Sequence, residues 1–401
     1  MPMSWTVTSV CFAFASVCGA QSTPQPQPPG QPKPAGQTAP PPAPEPLPLP
    51  VFVGPLKAAP PNTFDAGPFG KLHWNGILSG LGLWQGSPMA DDDPLHADVS
   101  NGQVLIQKNT GWWQFYLQAG AYNFLALGTK FLSTSDSLSE LFGPLPVGFL
   151  KLVPSKHVSL SIGALPPIYG AEYAFTFQNM NIERGLLWNQ ENDFNRGIQL
   201  DATAGPITAS FSWNDGFYSN RYSWLTGSFT YAFNKENTFT FAGGGNLGQT
   251  AFRTLATPVQ NNSRIFNVIY TYKKDRWIVQ PYFQYTRVPE NHKIGIDEGA
   301  STKGGAILVS YSFNKYASLA GRGEYISSTG DPVEQSVNLI YGPGSDAWSI
   351  TLTPTFQFQR FFVRGDLSFV RAIHIRPGDA FGRAGTSPNQ ARGVIEAGFI
   401  F

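Results

Sequence analysis

The last eight residues of the chain read Val394-Ile-Glu-Ala-Gly-Phe-Ile-Phe401. Successive side chains of a β-strand point to opposite faces, so Ile395, Ala397, Phe399 and Phe401 share one apolar face. An alternating final strand that ends on Phe is common among bacterial outer-membrane barrels, and it resembles the signal that their assembly machinery reads. We therefore predict a barrel that is closed by this strand, with the assembly machinery as a partner.

The same alternation recurs along the chain after residue 61, in runs of about ten residues that are separated by turn residues. One face of each run is apolar, and the other carries small polar side chains with few charges. The clearest runs cover residues 113–118, 198–203, 207–214 and 348–356.

A soluble β-sandwich also alternates, so further features must decide between the two architectures. Aromatic side chains lie near strand ends on the apolar face, as the interfacial girdles of a membrane barrel require. They are Trp213, Phe233, Trp348 and Phe361. We therefore predict an all-β fold, a transmembrane antiparallel up-and-down β-barrel in the bacterial outer membrane, with membrane lipid against its apolar face.

The composition agrees with this fold and excludes other classes. Charged residues make up only 13% of the chain, while aromatic residues reach 14% and glycine contributes 42 residues. A mean hydropathy of −0.15 is too low for a bundle of transmembrane helices. The formal net charge of +1 gives no reason to expect a nucleic acid as a partner.

Connections between the predicted strands alternate between short and long. Such barrels keep short turns on the periplasmic side and long loops outside. This gives sixteen strands with both termini in the periplasm, or eighteen if residues 335–341 form a strand pair. Short turns are expected near Asn109, Pro154, Gly205, Asn234, Asp275, Asn314 and Gln359, and long loops over about 85–96, 121–144, 165–195, 215–221, 246–263, 288–301, 328–345 and 372–390.

The N-terminal region has a different character. The apolar stretch 7–20 is too short to span a bilayer as a helix and predicts a signal peptide over residues 1–20, although residues 1–5 carry no Lys or Arg. Both cysteines lie within it, and bulky Val17 argues against a lipid anchor at Cys18. Residues 21–66 are rich in Pro and predict a disordered linker, either a spacer or an anchor to cell wall or a periplasmic partner. The barrel is then expected over residues 67–401.

One central segment is more specific than the alternation. Residues 162–172 read IGALPPIYGAE, residues 173–186 read YAFTFQNMNIERGL, and residues 197–200 read GIQL. Together they resemble the OmpL-like β-barrel porins, and the similarity extends over roughly residues 70–401. The resemblance implies an outer-membrane porin for small solutes. The Pro-rich segment is not part of the family pattern.

The predicted third long loop, residues 165–195, concentrates charge in a charge-poor chain. The resemblance implies that it folds inward and narrows the barrel, as in general porins. Opposed charges at a constriction would orient polar solutes, whereas Glu183 and Arg184 could instead simply pair and hold the loop down; both can be true. The candidate constriction residues are Glu172, Tyr173, Gln178, Asn179, Asn181, Glu183 and Arg184.

Four charged residues in predicted strands should face the lumen, because a charge facing lipid at the midplane costs a few kcal/mol. They are Arg322, Glu324, Arg364 and Asp366. The two arginines could oppose the carboxylates of the loop, or they could form a ladder with Glu324 and Asp366, which we favour. Aromatic residues on the inner face could stack sugar rings, but they more often only fill space; they are Tyr116, Trp224 and Tyr282.

Motifs for catalysis or cofactor binding are weak. Gly243–Gly248 matches a dinucleotide-binding pattern by letter, but no helix is expected after it. Ser312–Lys315 matches the S-x-x-K motif of the penicillin-interacting enzymes, but in those enzymes the Ser begins a helix, whereas here it ends a predicted strand. The five His residues have no metal-ligand spacing, and residues 91–93, three aspartates, fit a solvated acidic loop better than a cation site. We expect no catalytic residue, no metal and no cofactor.

These observations predict a porin that passes small hydrophilic solutes by passive diffusion. Two other functions stay open. One is a structural outer-membrane protein tethered by its Pro-rich arm. The other is a barrel enzyme, for which Ser368 and His374 are the only Ser–His pair with even approximately suitable positions. The sequence leaves the oligomeric state undetermined, although a homotrimer would suit a sixteen-stranded porin.

Overall fold

The structure, a computed structural model, describes residues 47–401. The predicted signal peptide, both cysteines and residues 21–46 of the predicted linker lie outside these residues.

The described chain forms sixteen long antiparallel strands and one short strand that precedes them. The strands are β1 (Asn62–Asp65), β2 (Lys71–Gly86), β3 (Leu95–Lys108), β4 (Trp113–Tyr122), β5 (Val147–Ser155), β6 (Val158–Leu165), β7 (Asn195–Ala204), β8 (Ile207–Asn214), β9 (Trp224–Ala232), β10 (Asn237–Asn246), β11 (Arg264–Lys274), β12 (Trp277–Val288), β13 (Ala300–Ser312), β14 (Ala317–Ser328), β15 (Asp346–Phe358), β16 (Phe361–Ile373) and β17 (Asn389–Ile400).

Each strand from β2 to β17 pairs with its neighbours in sequence, and the last strand closes the sheet on the first long one. The β17–β2 register runs from Ala391 opposite Gly86 to Ile400 opposite Ile77. The predicted closed, up-and-down, sixteen-stranded barrel is therefore confirmed. Residues 335–341 form a loop, so the alternative count of eighteen strands is wrong.

Short strand β1 extends the seam of the barrel beyond the end of β17. The backbone of Phe401 exchanges two hydrogen bonds with that of Gly76, and β1 then pairs with residues 71–74 of β2. A single edge of β2 is thus covered first by the C-terminus and then by the N-terminal strand. This matters because an unpaired strand edge leaves backbone groups without partners.

The connections alternate in length, as the sequence predicts. Short turns occupy residues 109–112, 156–157, 205–206, 233–236, 275–276, 313–316 and 359–360. Long loops occupy residues 87–94, 123–146, 166–194, 215–223, 247–263, 289–299, 329–345 and 374–388. We name residues 123–146 the second loop and residues 166–194 the third loop.

Helical structure is confined to short segments. The second loop contains the α-helix α1 (Thr134–Glu140), which Ser133 caps through the amide of Asp136. Short 3-10 helices lie at Gly67–Phe69, Thr176–Gln178, Trp188–Gln190, Val259–Asn262 and His292–Ile294. No helix within residues 47–401 is both long and apolar enough to cross a membrane.

The two faces of the sheet differ as the alternation requires. Outward side chains are large, apolar and exposed, for example Leu367 at 67% and Ile395 at 63%. Inward side chains on the same part of the wall are polar and buried, for example Thr351 and Thr353. An apolar outer face suits contact with lipid, while the polar inner face surrounds the interior of the barrel.

Residues 47–66, the described end of the predicted linker, lie against the barrel. Leu56 and Ala59 are buried, and β1 forms part of the sheet. The proline content predicts a disordered linker over residues 21–66, whereas these described residues pack on the barrel. The apolar residues between the prolines explain the difference, because they bury surface that a free linker would expose to water.

Candidate functional site

The third loop is the most thoroughly buried long connection of the barrel. Every residue from 174 to 188 is buried, although these residues belong to no strand. Apolar side chains such as Phe175, Phe177 and Leu187 account for part of this burial. Polar contacts also bury the loop, most of them with inward side chains of β14 to β17.

Arg322 of β14 joins the third loop to the barrel wall. Its Nη1 lies 2.7 Å from Glu172 Oε1 and donates a second hydrogen bond of 2.7 Å to the carbonyl oxygen of Glu183. Its Nε lies 3.1 Å from Glu324 Oε2. The two arrangements considered from the sequence, opposition to the loop and a ladder along the wall, therefore coexist at this arginine.

The two wall carboxylates accept hydrogen bonds from the loop backbone. Glu324 Oε2 accepts from the amide of Leu186 at 3.0 Å and from the hydroxyl of Ser349 at 2.7 Å. Asp366 Oδ2 accepts from the amide of Glu183 at 2.8 Å. A Cβ added to Gly185 would collide with the carboxylate of Glu324, so glycine at this position permits the close approach.

Arg364 of β16 does not form the ladder expected with Asp366. Its guanidinium instead donates 2.9 Å hydrogen bonds to the carbonyl oxygens of Thr176, Asn179 and Met180. A guanidinium has five N–H donors in a planar fork. Several carbonyls of one turn can accept more of these hydrogen bonds than a single neighbouring carboxylate can. A carboxylate, Glu396 of β17, lies 3.7 Å from Arg364 Nη1.

Glu183 and Arg184 do not pair with each other. Glu183 Oε1 lies 3.0 Å from Arg392 Nη1, and Glu183 Oε2 accepts a 2.7 Å hydrogen bond from Ser368. The guanidinium carbon of Arg184 lies 5.0 Å from the ring centre of Trp188 and 5.8 Å from that of Phe124. Within residues 47–401, the three guanidinium nitrogens of Arg184 have no hydrogen-bond partner.

The other predicted loop residues bind the loop itself or its surroundings. The Asn179 side chain accepts from the backbone amide of Tyr173 at 2.7 Å and donates to its carbonyl at 2.6 Å. Asn181 Nδ2 donates to Thr353 Oγ1 at 2.6 Å. Gln178 Nε2 donates to the carbonyl of Val51 at 3.2 Å. All seven predicted loop residues and all four predicted wall residues thus belong to one region of contacts.

Sequence reasoning missed several partners in this region. The backbone of Arg184 pairs with the second loop at Leu125 and Leu127. Arg392 and Glu396, both buried on the inner face of β17, bind the third loop. The alternation in the final strand could have identified these two, since Glu396 lies between outward Ile395 and Ala397.

The described Pro-rich segment contacts the third loop from the side of the short turns. The amides of Val53 and Gly54 donate to the carbonyl of Gln178 at 2.8 and 3.2 Å. The rings of Phe52 and Phe177 lie 5.5 Å apart. The sequence does not predict contact between these two segments, because the contacts are made through backbone atoms and general apolar packing.

Two neighbouring cavities lie on the other side of the third loop, against β4 to β12. We name the first, of about 290 Å³, the loop cavity and the second, of about 340 Å³, the turn cavity. Tyr116 lines both, whereas Trp224 donates to Asn261 and Tyr282 belongs to a buried apolar cluster. Tyr116 is therefore the member of the predicted aromatic set that borders open space.

Burial changes the acidity of charged residues in the third loop. It raises the pKa of Asp193 to about 7, although the positive charge of Arg184 opposes this shift. Burial also raises the pKa of Glu191, and the charge of Glu172 adds to the effect. Burial lowers the pKa of Arg184 to about 10, against the attraction of Asp193. The loop thus carries groups whose charge is costly in their surroundings.

The residues considered for catalysis or cation binding either do not contact each other or already bind other residues of the chain. Ser368 donates to Glu183 on the inner face, while His374 is exposed and lies 2.9 Å from Asp346. In the acidic loop, Asp92 accepts from the side chain of Gln85 at 2.8 Å and from the amide of Phe131 at 3.0 Å. These contacts give each group a local structural role.

Comparisons with known proteins agree with the architecture. The family model described as "Putative beta-barrel porin-2, OmpL-like" matches residues 71–401. No curated protein matches the chain.

Solved outer-membrane proteins share the fold at low identity. The anion-selective porin from Comamonas acidovorans is 12% identical, with a TM-score of 0.56, and the match covers 82% of this chain and 99% of that one. The outer membrane channel DcaP of Acinetobacter baumannii is 10% identical, with a TM-score of 0.56 and coverage of 82% and 97%. In-vitro folded OmpT of Vibrio cholerae, described as a trimer form, is 11% identical, with a TM-score of 0.55 and coverage of 82% and 99%.

Proposed function

The chain belongs to the OmpL-like β-barrel porin-2 family of the outer membrane, and on that premise we propose that it is a passive diffusion porin for small hydrophilic solutes. In this proposal the barrel interior is filled with water, and the third loop narrows it. Solutes pass down their own gradients, with no cofactor and no energy source.

The observation that carries the proposal is the one-sided attachment of the third loop. Its ion pairs with the wall, and most of its hydrogen bonds to the wall, are made with β14 to β17, through Arg322, Arg364 and Arg392. Against β4 to β12 the same loop makes apolar contacts and one hydrogen bond, from Gln284 to the carbonyl of Leu187, and it borders the two cavities. A loop bound mainly to one wall, with open space left beside the other, is the arrangement that narrows a channel without closing it.

The attachment supports a constriction of constant width. Arg322 and Glu172 are both buried, and breaking a buried ion pair leaves an uncompensated charge that costs several kcal/mol. The carboxylates of Glu172, Glu324 and Asp366 also accept hydrogen bonds from backbone amides of the loop. Rigid placement favours discrimination by size, because a mobile loop would let larger solutes displace it.

The cavities have the dimensions that such a function needs. At about 290 and 340 Å³ they can each hold a small solute, and they share lining residues such as Tyr116, Phe149 and Tyr173. Leu49 and Val51 border both cavities, which places the Pro-rich segment beside the proposed path. We infer that this segment narrows the path on the side of the short turns.

Planar-bilayer recording of the purified full-length protein tests the proposal. Discrete conductance steps are expected, together with swelling of proteoliposomes in small sugars that declines as sugar mass rises. Protein that is folded, as judged by heat-modifiable gel mobility, but gives neither steps nor swelling would contradict the proposal. Bilayers treated with detergent alone serve as the control.

Three partners belong to the same proposal. The exposed apolar outer face is expected to contact membrane lipid, and the final strand with Phe401 is expected to be recognised by the barrel assembly machinery. We also propose a homotrimer, as described for the trimer form of OmpT. Chemical cross-linking in native outer membranes should then give a threefold mass, and a purely monomeric product would argue against it.

A further inference from the structure

The loop cavity has an unusual set of lining residues. Its carboxyl groups are those of Glu172 and Asp193, and no Lys, Arg or His is found among the described residues that line it. It is bounded by the third loop and by inward residues of β4, β5 and β9 to β12, such as Ser228 and Gln280. A charged solute in this space would therefore meet acidic groups and no basic ones.

Three arginines of the barrel wall, Arg322, Arg364 and Arg392, are bound on the opposite side of the third loop. Arg322 offsets the charge of Glu172, while Arg392 offsets that of Glu183. Asp193, in contrast, has no basic group within ion-pair distance among residues 47–401. The charge of Arg184 acts on Asp193 without pairing with it, and Arg184 does not line the loop cavity, so the lining itself carries acidic groups alone.

Several oxygen atoms in the lining have no donor. Asn192 Oδ1, Asp193 Oδ1 and Gln280 Oε1 are buried without a hydrogen-bond partner in the described part of the chain. The side chains of Asn192 and Gln280 are both more than nine-tenths buried, at 2% and 8% exposure. Unpaired buried acceptors are costly, so a solute that donates hydrogen bonds would relieve that cost.

Aromatic rings form much of the remaining surface. Tyr116, Phe149, Tyr173, Trp188 and Phe194 line the loop cavity. The faces of aromatic rings are negative, and they attract ammonium groups at distances of up to about 6 Å. Carboxylate, acceptor oxygens and aromatic faces without a basic group are together the surroundings that favour an organic cation.

We propose that the loop cavity selects small organic cations, namely solutes that carry a protonated amine on a short hydrocarbon frame. The inference rests on the proposed function and specifies the solute class of the same channel. The adjoining turn cavity is more mixed, since Lys108, Lys151 and Asp201 line it. There the Lys108 ammonium is already bound to the carbonyls of Thr110 and Trp113. Selection is therefore assigned to the loop cavity.

Reversal potentials in a gradient of ethanolammonium chloride at pH 8.5 test the inference. The wild-type channel should favour ethanolammonium over chloride. Asp193→Asn should lower this ratio about fivefold, the factor that one unit charge in contact with a solute contributes in water. Asp297→Asn, which removes a carboxylate from an exposed outer loop, is the matched control and should leave the ratio unchanged.

A second variant distinguishes an effect of charge in the loop cavity from a folding defect in the loop. Ser228→Lys introduces a positive charge from the rigid wall into the loop cavity and should also lower the ratio, while swelling in arabinose stays close to wild type. Anion preference in the wild type, or equal ratios in wild type and Asp193→Asn, would overturn the inference and leave the porin function intact. A folded protein without any conductance would overturn both.

Discussion

Arg322 Nη1 and Glu172 Oε1 lie 2.7 Å apart, in side chains that are almost completely buried. One belongs to the wall of the barrel and the other to the third loop, 150 residues earlier in the chain. Their pairing depends on the closed barrel, which brings β14 beside a loop that follows β6. The position of the loop is thus a property of the whole fold.

Replacement of Arg322 by Met should release the third loop. The change leaves Glu172 and Glu324 without their cation, which for a buried pair costs about 3–5 kcal/mol. Single-channel conductance should rise and become noisier, and the thermal transition of the barrel should fall. The exposed arginine Arg276, in a short turn, provides the control variant Arg276→Gln. An unchanged conductance in Arg322→Met would contradict the anchoring role.

Glu183 and Arg184 are adjacent in sequence but should respond differently to neutralisation. Glu183 is bound by Arg392 and Ser368, so Glu183→Gln should lower heat stability and disturb the loop. Arg184 is buried and its guanidinium lacks hydrogen bonds to residues 47–401, so Arg184→Met should leave heat stability equal or higher. The loss of this positive charge should also shift the reversal potential in the direction of greater cation selectivity. Equal losses of stability in both variants would refute this distinction.

The barrel itself was predictable because its signals are local and repeated. Alternation, turn residues and the terminal Phe401 each report on the strand in which they occur, and the pairing of neighbouring strands follows from chain order. The inward direction of Arg322 and Asp366 was predictable for the same reason. Each depends on the parity of one strand and on the cost of facing lipid.

The partners of these residues were not predictable from the chain. Arg364 could be paired with Asp366 by proximity in sequence, yet it binds carbonyls of the third loop. Backbone carbonyls carry no sequence signal. Which of the carboxylates of Glu172, Glu324 and Glu396 lies beside each arginine depends on the position of the loop after the barrel has closed. The contacts of Val53 and Gly54 with Gln178 were hidden for the same reason.

Displacement of the Pro-rich segment should widen the channel. A side chain at Gly54 would collide with the carbonyl of Asn179, so Gly54→Val should detach residues 49–54 from the third loop. Conductance is expected to increase with barrel yield unchanged. Gly82→Ala is a suitable control, because a Cβ at that position meets nothing.

Nested deletions separate this role from that of a tether. Removal of residues 22–61 should raise conductance as Gly54→Val does, whereas removal of residues 22–46 should leave it unchanged. Loss of envelope integrity with the shorter deletion, at unchanged conductance, would instead favour an anchor to the cell wall or to a periplasmic partner.

The selectivity of the channel should depend on pH through Asp193. Burial raises the pKa of this carboxyl to about 7, so it is neutral below that value and negative above it. Cation preference, measured as a reversal potential in KCl, should therefore increase as pH rises from 5.5 to 8.5, and Asp193→Asn should remove this increase. Because the folded pKa lies above the usual value, ionisation of Asp193 disfavours the folded state, and its contribution to stability declines as pH rises through 7. Glu334 provides a comparison, since its hydrogen bond with Glu298 on the outer loops also raises its carboxyl pKa, and neither residue lines the loop cavity. A pH dependence that persists in Asp193→Asn and disappears in Glu334→Gln would place the titrating group outside the channel.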